Sequence, residues 1–272
     1  MTTRFTIFVD GSNLFGSLKS MNLEVNNYEA LYGHVFKESH AMWAAKTHQT
    51  DKVPSELRRI YWYAVGSIDE WDLSLAQSQT ALRNAFMRDK EIRDYWLALT
   101  GKANPGLSGI KLQDKAWADC FSDFRDWYDK KQNILDGMRH FHQGIRINTD
   151  LIDVIEDGHW KVNFLHKWVE EKGLDTALAV DMVALQDNYD IAVVVSGDAD
   201  SIPSIRHLKN RNKQIASVEF VSGSPPEPKG RNFSSRLKQH ADFVIRIYET
   251  ELIRLKIAAR PKIKSTLGGG AI

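Results

Sequence analysis

The chain has 272 residues, 43% hydrophobic and 26% charged, a balance that supplies a buried core and excludes a chain disordered throughout. A single cysteine, Cys120, excludes an internal disulfide and a cysteine-rich zinc centre, and is itself read as structural. The net charge of +1 hides an asymmetry: residues 203–272 carry 14 Lys and Arg against 5 Asp and Glu, whereas residues 1–202 carry 22 against 30.

The opening MTTRFTIFVDGSN has no charged segment leading into a long apolar run, and no stretch reaches the roughly 18 apolar residues of a membrane span, so a soluble, cytoplasmic chain is expected. RFTIFV at residues 4–9 predicts a buried strand ending in the turn signal Asp10-Gly11-Ser12-Asn13. Residues 28–47 read as a helix, and RIYWYAV at residues 59–65 as a second strand ending at Gly66-Ser67. From Ile68 to about Asn133, mixed charges and scattered tryptophans predict helices, broken at Lys102–Gly109 by Pro105 and nearby glycines into a loop or mobile flap. The tryptophans are read first as helix-packing residues and only second as base-stacking platforms.

Residues 145–164 contain two alternating segments around Asp157-Gly158, which predicts a hairpin or a further sheet strand there. An apolar-periodic helix follows over residues 175–185, and IAVVV at residues 191–195 predicts a strand buried on both faces of a parallel sheet, ending at Ser196-Gly197-Asp198-Ala199-Asp200. A helix at residues 203–210, a strand at 215–221, a Pro- and Gly-rich loop at 222–231, a helix through Leu237 and a strand at 243–248 complete the pattern. A basic helix and a frayed tail are expected over residues 251–272.

Alternating strands and helices imply a doubly wound sheet, whose sites form at the carboxyl ends of its strands. Asp10 ends the first strand, Asp198 and Asp200 follow IAVVV, and Asp175 opens the helix before it. Gathered carboxylates repel by a few kcal/mol per pair near ~4 Å at a protein-like dielectric, and a divalent cation with an oxygen shell removes that cost while polarising a phosphoryl group and activating water. DGSN alone is an ordinary turn and SGDAD alone an ordinary polar loop. Their joint placement after two buried strands is the stronger signal. An acidic body with a basic end suits such a site beside a phosphate-attracting surface, although basic C-terminal helices also occur without one.

FVDGSNLF at residues 8–15, KGLDTALAVDM at 172–182 and VVVSGDADSIPSIRHL at 193–208 together resemble the NYN domains of the LabA-like group, relatives of PIN and FLAP nucleases. The resemblance spans roughly residues 4–66 and 134–248. It implies a three-layer α/β/α PIN-like fold with a central, mostly parallel sheet, formed by residues 1–66 and 134–250, with residues 67–133 a helical insertion. It also implies a metal-dependent nuclease, a ribonuclease first, using Mg²⁺ or Mn²⁺. Carried over by residue, it makes Asp10, Asp175, Asp198 and Asp200 metal and catalytic acids and Asn13 a polar site residue. Ser201 stands where the family often has a bulky aromatic.

Asp181 is a further candidate ligand, but six residues beyond Asp175 it lies about 120° away around an ideal helix, so a cap or backbone hydrogen bond is an equal alternative. Ser12 and Ser196 are candidates to position phosphate or water, or to satisfy turn backbone. Arg206 and Lys209, with Arg211 and Lys213, are candidates to hold the substrate backbone, or else solvated surface. His140 and His142 lack a further ligand pattern for zinc. The expected partner is nucleic acid, RNA first, with a homo-oligomer left open. The competing readings are a non-cleaving nucleic-acid or protein binding module on the same fold, and a phosphatase-like nucleotide hydrolase. No GxxxxGK[ST] loop is present, which argues against a nucleotide-driven motor.

Overall fold

The computed structural model describes residues 2–48, 53–226 and 235–261. In chain order the elements are β1 (Thr3–Asp10), α1 (Gly11–Ser20), β2 (Glu24–Val25), α2 (Tyr28–Lys46), β3 (Ser55–Ile68), α3 (Ala76–Arg88), α4 (Lys90–Ala103), α5 (Gly109–Asn148), β4 (Ile152–Asn163), β5 (Trp168–Lys172), α6 (Leu174–Ala184), β6 (Ile191–Val195), α7 (Ile202–Asn210), β7 (Gln214–Val221), α8 (Ser235–His240), β8 (Phe243–Tyr248), α9 (Glu249–Arg254) and β9 (Ala258–Ala259). Seven strands form a mixed, mostly parallel sheet in the order β5-β4-β3-β1-β6-β7-β8 with helices on both sides, the expected α/β class, and β2 pairs with β9 in a separate ribbon.

Two compact units divide the chain. The first comprises Met1–Ala64, Gly144–Ile155 and Leu174–Ile272. Its central strands are β1 and β6, which run parallel with Val9 opposite Val195. All five residues of β6 are buried, as are Phe5, Ile7, Phe8 and Val9 of β1, which is why both read as apolar runs. From β1 the chain passes to β3 on one side, while β6, β7 and β8 lie in turn on the other. The gap between the carboxyl ends of β1 and β6 is therefore the topological switch point, the place in an open α/β sheet where a crevice forms. At the opposite end, Arg4 grips Asp190 through Nε (3.1 Å) and a terminal guanidinium nitrogen (2.8 Å), tying the start of β1 to the start of β6.

The second unit comprises Val65–Gln143 and Glu156–Gly173. Phe164 is ringed by Trp71, Phe124, Trp127 and Tyr128 at centroid distances of 5.2–6.0 Å. Tryptophans 71 and 127 thus act as packing residues. Cys120 is also buried, and burial pushes its thiol up to about 12, consistent with an inert structural role. His159 bridges Asp69 (2.7 Å) and Ser67 (2.9 Å), cross-linking the end of β3 to β4.

Several boundaries differ from the sequence expectations. Asp157-Gly158 does not turn: β4 passes through it, and the hairpin to β5 falls at residues 164–167. Pairing along a whole strand satisfies more backbone groups than a two-residue turn, and the actual turn uses Asn163, whose side chain accepts from the His166 N–H (3.2 Å), with Lys167 at φ +49°. Gly66 instead meets a close approach of strands, since a Cβ there would lie 2.1 Å from the Glu156 carbonyl oxygen. The helical region does not end near residue 133, because α5 continues to Asn148; residues 145–148, taken as strand, complete that helix. His140 and His142 are therefore helical, with Nδ1 atoms at 2.7 Å from the Asp136 carbonyl and 2.8 Å from the Glu156 carboxylate. The predicted flap shrinks to residues 104–108. The expected basic helix after residue 250 is α9, which is short and opens with Glu249 and Glu251. Residues 227–231 of the predicted Pro-rich loop and the tail 262–272 lie outside the described residues.

Candidate metal centre

The first wall of the site is the β1–α1 junction. Asp10 caps α1, its carboxylate accepting from the Asn13 N–H (3.0 Å) and from the Asn13 side-chain amide. The glycine between them is required by space: a Cβ on Gly11 would sit 2.4 Å from Trp62 Nε1 and 2.7 Å from the Tyr63 carbonyl oxygen. The β1–β6 register then brings Ser196 beside Asp10, with Oγ donating at 3.5 Å.

The second wall is the β6–α7 loop. Asn13 reaches across the switch point to accept from the Gly197 N–H (3.2 Å), so one side chain holds both Asp10 and the loop. Within the loop, Ser196 Oγ accepts from Asp198 N–H (3.1 Å), Asp198 Oδ1 accepts from Asp200 N–H (3.1 Å), and the buried Ser201 places its Oγ 3.4 Å from the Asp198 carbonyl. These short-range bonds aim two acids out of the same turn. The third acid, Asp175, comes from the first turn of α6.

Asp175, Asp198 and Asp200 each bring one carboxylate oxygen within 4.8 Å of the others, the one such acidic, cysteine or histidine group among the described residues. Three hard oxygen donors from three carboxylates suit Mg²⁺ or Mn²⁺ and offer nothing to a soft metal. Asp10 stands outside this trio. It is 4% exposed and engaged by Asn13 and Ser196, linked to the acids through the hydrogen-bonded loop.

Asp181 is also separate, because it accepts a hydrogen bond from Tyr63 OH (3.0 Å). Burial first, and then the charge and hydrogen bond of Asp181, hold the Tyr63 phenol well above its usual range. Of the candidate substrate contacts, Ser12 and Arg206 are exposed, on the first turn of α1 and the middle of α7, and Ser196 is buried in the network. Lys209 is engaged elsewhere in the fold. It lies in the last turn of α7, away from the acids at the other end, donates to the His240 carbonyl (3.0 Å) and pairs with Asp242 (2.8 Å). Lys213 is likewise bound to the Tyr189 carbonyl (2.7 Å), and Arg246 and Arg260 pair with Glu219 and Glu249. Four of the 14 Lys and Arg after Ile202 are thus engaged within the fold.

A family model described as NYN domain matches residues 116–247, which hold Asp175, Asp198 and Asp200. The matched segment, just under half of the chain, is thus similar to a NYN domain. NYN domains belong to the PIN-like nuclease superfamily, and the α/β sheet with its acidic cluster agrees with that placement. The chain is also similar to the uncharacterized protein MJ0482 of Methanocaldococcus jannaschii, 36% identical over 94 residues, 34% of this chain. The match spans about a third of that relative's length, 35%. Among solved structures, a protein of unknown function from Vibrio parahaemolyticus, VPA0982, aligns over 90% of this chain and 93% of its own, at 13% identity and a TM-score of 0.39. No helix among the described residues is long and apolar enough to cross a membrane.

The groove beside the acids was not anticipated. A cavity of about 530 Å³ runs between α6 and α7, lined by Asp175, Asp200, Ser204 and one face of α6. Its signal was present in the spacing of Thr176, Ala179, Val180, Val183 and Ala184, which recur at helical intervals opposite the core-facing Leu174, Leu178 and Met182.

Proposed function

We propose that this chain is a metal-dependent ribonuclease of the NYN type, in which Asp175, Asp198 and Asp200 hold Mg²⁺ or Mn²⁺ against a phosphodiester. The observation that carries this reading is the convergence of three carboxylate oxygens within 4.8 Å at the crevice between β1 and β6. A bound divalent cation supplies charge for the developing phosphoryl oxyanion and lowers the pKa of water.

The chain's own residues do the positioning. Asp10 anchors Asn13, and Asn13 holds Gly197, so the loop bearing two of the acids is fixed to the end of β1. The Asp200 N–H, donating to the Asp198 carboxylate, preorganises that carboxylate and reduces the reorganisation needed when charge develops. Asp10, close behind this loop, is the residue we assign to complete the acidic site. Ser12 and Arg206, exposed on helices that flank the crevice, are assigned to the sugar-phosphate backbone of the substrate.

The test is cleavage of a labelled single-stranded RNA, with a DNA strand of the same sequence alongside, in Mn²⁺, Mg²⁺ or excess chelator. Metal-dependent RNA cleavage that Asp198→Asn eliminates supports the proposal. Polymer binding without cleavage in either metal would point to a binding module, and turnover confined to mononucleotides to a nucleotide hydrolase.

A further inference from the structure

Helix α6 is apolar on two sides. Leu174, Leu178 and Met182 are at most 3% exposed and belong to the core, yet Val180 on the other side is 57% exposed. Val180 lies in the stripe that lines the groove between α6 and α7, and two members of the acidic trio, Asp175 and Asp200, close that groove at the N-terminal end of α6. A surface helix ordinarily shows water a polar face, so an apolar stripe ending at a cation site needs an occupant that is apolar along its body and anionic at one end.

We infer that this groove is a nucleobase subsite, taking the base of the nucleotide whose phosphate lies at the acidic trio. The inference rests on the metal-dependent reading of that trio. Three features select this occupant. Among the described residues no Lys or Arg lines the groove, so these walls do not hold a phosphate themselves. The phosphate must therefore sit beyond the walls, where a cation on Asp175 and Asp200 would meet it, leaving the uncharged base and sugar for the groove. Its volume of about 530 Å³ is within the range of small-ligand sites.

The wall chemistry also sets specificity. Away from the acids, the polar side chains lining the groove among the described residues are the hydroxyls of Thr176 and Ser204, without amide or guanidinium groups to read a base edge. Contact is through the base face, so the subsite accepts any of the bases, provided that the base is unpaired and free to leave a stack. A second copy of this chain is disfavoured as occupant. A two-fold contact on this groove would bury Asp175 and Asp200 together with their own copies, leaving like charges in a desolvated interface.

The experiment crosses a substrate deletion with groove substitutions in the full chain. Cleavage is measured on an oligonucleotide and on its counterpart with one abasic position, for the parent, Val180→Ser and Ala179→Phe. Neither substitution changes charge, so the acids keep their electrostatic setting. The expected result is a KM for the parent on the order of 10-fold higher at the abasic position. Both variants should lose that discrimination, showing nearly equal KM on the two substrates, while the thermal shift given by Mn²⁺ alone stays as in the parent. An unchanged Mn²⁺ shift with undiminished discrimination in both variants would overturn the subsite and leave the metal centre standing. Absence of both a Mn²⁺ shift and cleavage in the parent would overturn the metal centre, and the subsite with it. A parent that is dimeric by light scattering, and that Val180→Ser renders monomeric, would assign the groove to a second copy instead.

Discussion

Replacing Asp198 with Asn removes one of three charges while keeping the side chain's shape. Asp198 Oδ1 accepts the Asp200 N–H, and an amide oxygen can still do so, so the loop should persist. At 4.8 Å, the outer limit of the cluster, two unit charges repel by roughly 0.9 kcal/mol in water and roughly 3.5 kcal/mol at an effective dielectric of about 20. Asp200 is exposed and its two neighbours are intermediate, so the low end applies. Deleting one charge removes two pairs, a relief of about 2 kcal/mol, which for a chain of this size raises the metal-free melting temperature by roughly 4–8 °C. Metal reverses the order. Mn²⁺ at about 100 times its dissociation constant stabilises the parent by about 2.7 kcal/mol, and the variant should lose most of that gain. Cleavage should fall by at least about 100-fold, or about 2.7 kcal/mol in the barrier. The assay is a melting curve with chelator and with Mn²⁺, and RNA cleavage at one ionic strength, for both proteins. Equal Mn²⁺ shifts and equal rates in the two proteins would refute the reasoning, as would parental cleavage that survives excess chelator.

Asn13→Ala should unfasten the Gly197 loop from Asp10 and lower kcat by about 10-fold or more, with a smaller change in melting temperature than a core substitution; kinetics beside calorimetry will show it. Gly11→Ala should cost about 1–3 kcal/mol, because the added methyl must displace buried Trp62 or the Tyr63 backbone, and denaturant titration measures this. Asp190, held below the usual carboxylate range by its hydrogen bond to Arg4 and by the Arg4 charge, contributes stability that is present above its unfolded pKa of about 3.9 and lost as pH falls through the lower folded value. Arg4→Ala should therefore be less stable than the parent at neutral pH, by about 1 kcal/mol or less given the partial exposure of both groups, with the gap closing on acidification. Lys209→Ala should loosen the junction of α7 with residues 240–242 yet leave RNA affinity unchanged, as binding and melting measured together would reveal.

The expected α/β alternation was readable because each strand around the switch point carries its burial in its own residues. IAVVV has no polar position, and RFTIFV is followed at once by Asp10, the last residue of its strand, so the strands and the acids at their tips could be named from neighbouring residues alone. The helix over residues 28–46 and the strand at 243–248 follow from equally local periodicity. Local signals failed where a distant partner decided. Asp157-Gly158 has turn chemistry, but pairing of β4 with its neighbours overrode it, and the turn moved to Asn163. The charge count after Ile202 suggested a free basic surface, whereas Lys209, Arg246 and Arg260 each found an acid in the folded chain. Sequence reading likewise offered Asp10, Asp175, Asp198 and Asp200 for one site, with Asp181 a further candidate. Only the tertiary structure divided them, gathering Asp175, Asp198 and Asp200, setting Asp10 against Asn13 and giving Asp181 to Tyr63. By itself, then, the sequence determined which residues could form strands and which acids would stand at their ends, because burial and turn chemistry are written in neighbouring residues. Which charges meet, and which are spent on one another, was decided by the packing of segments far apart in the chain, because a carboxylate's partner is set by distance in space.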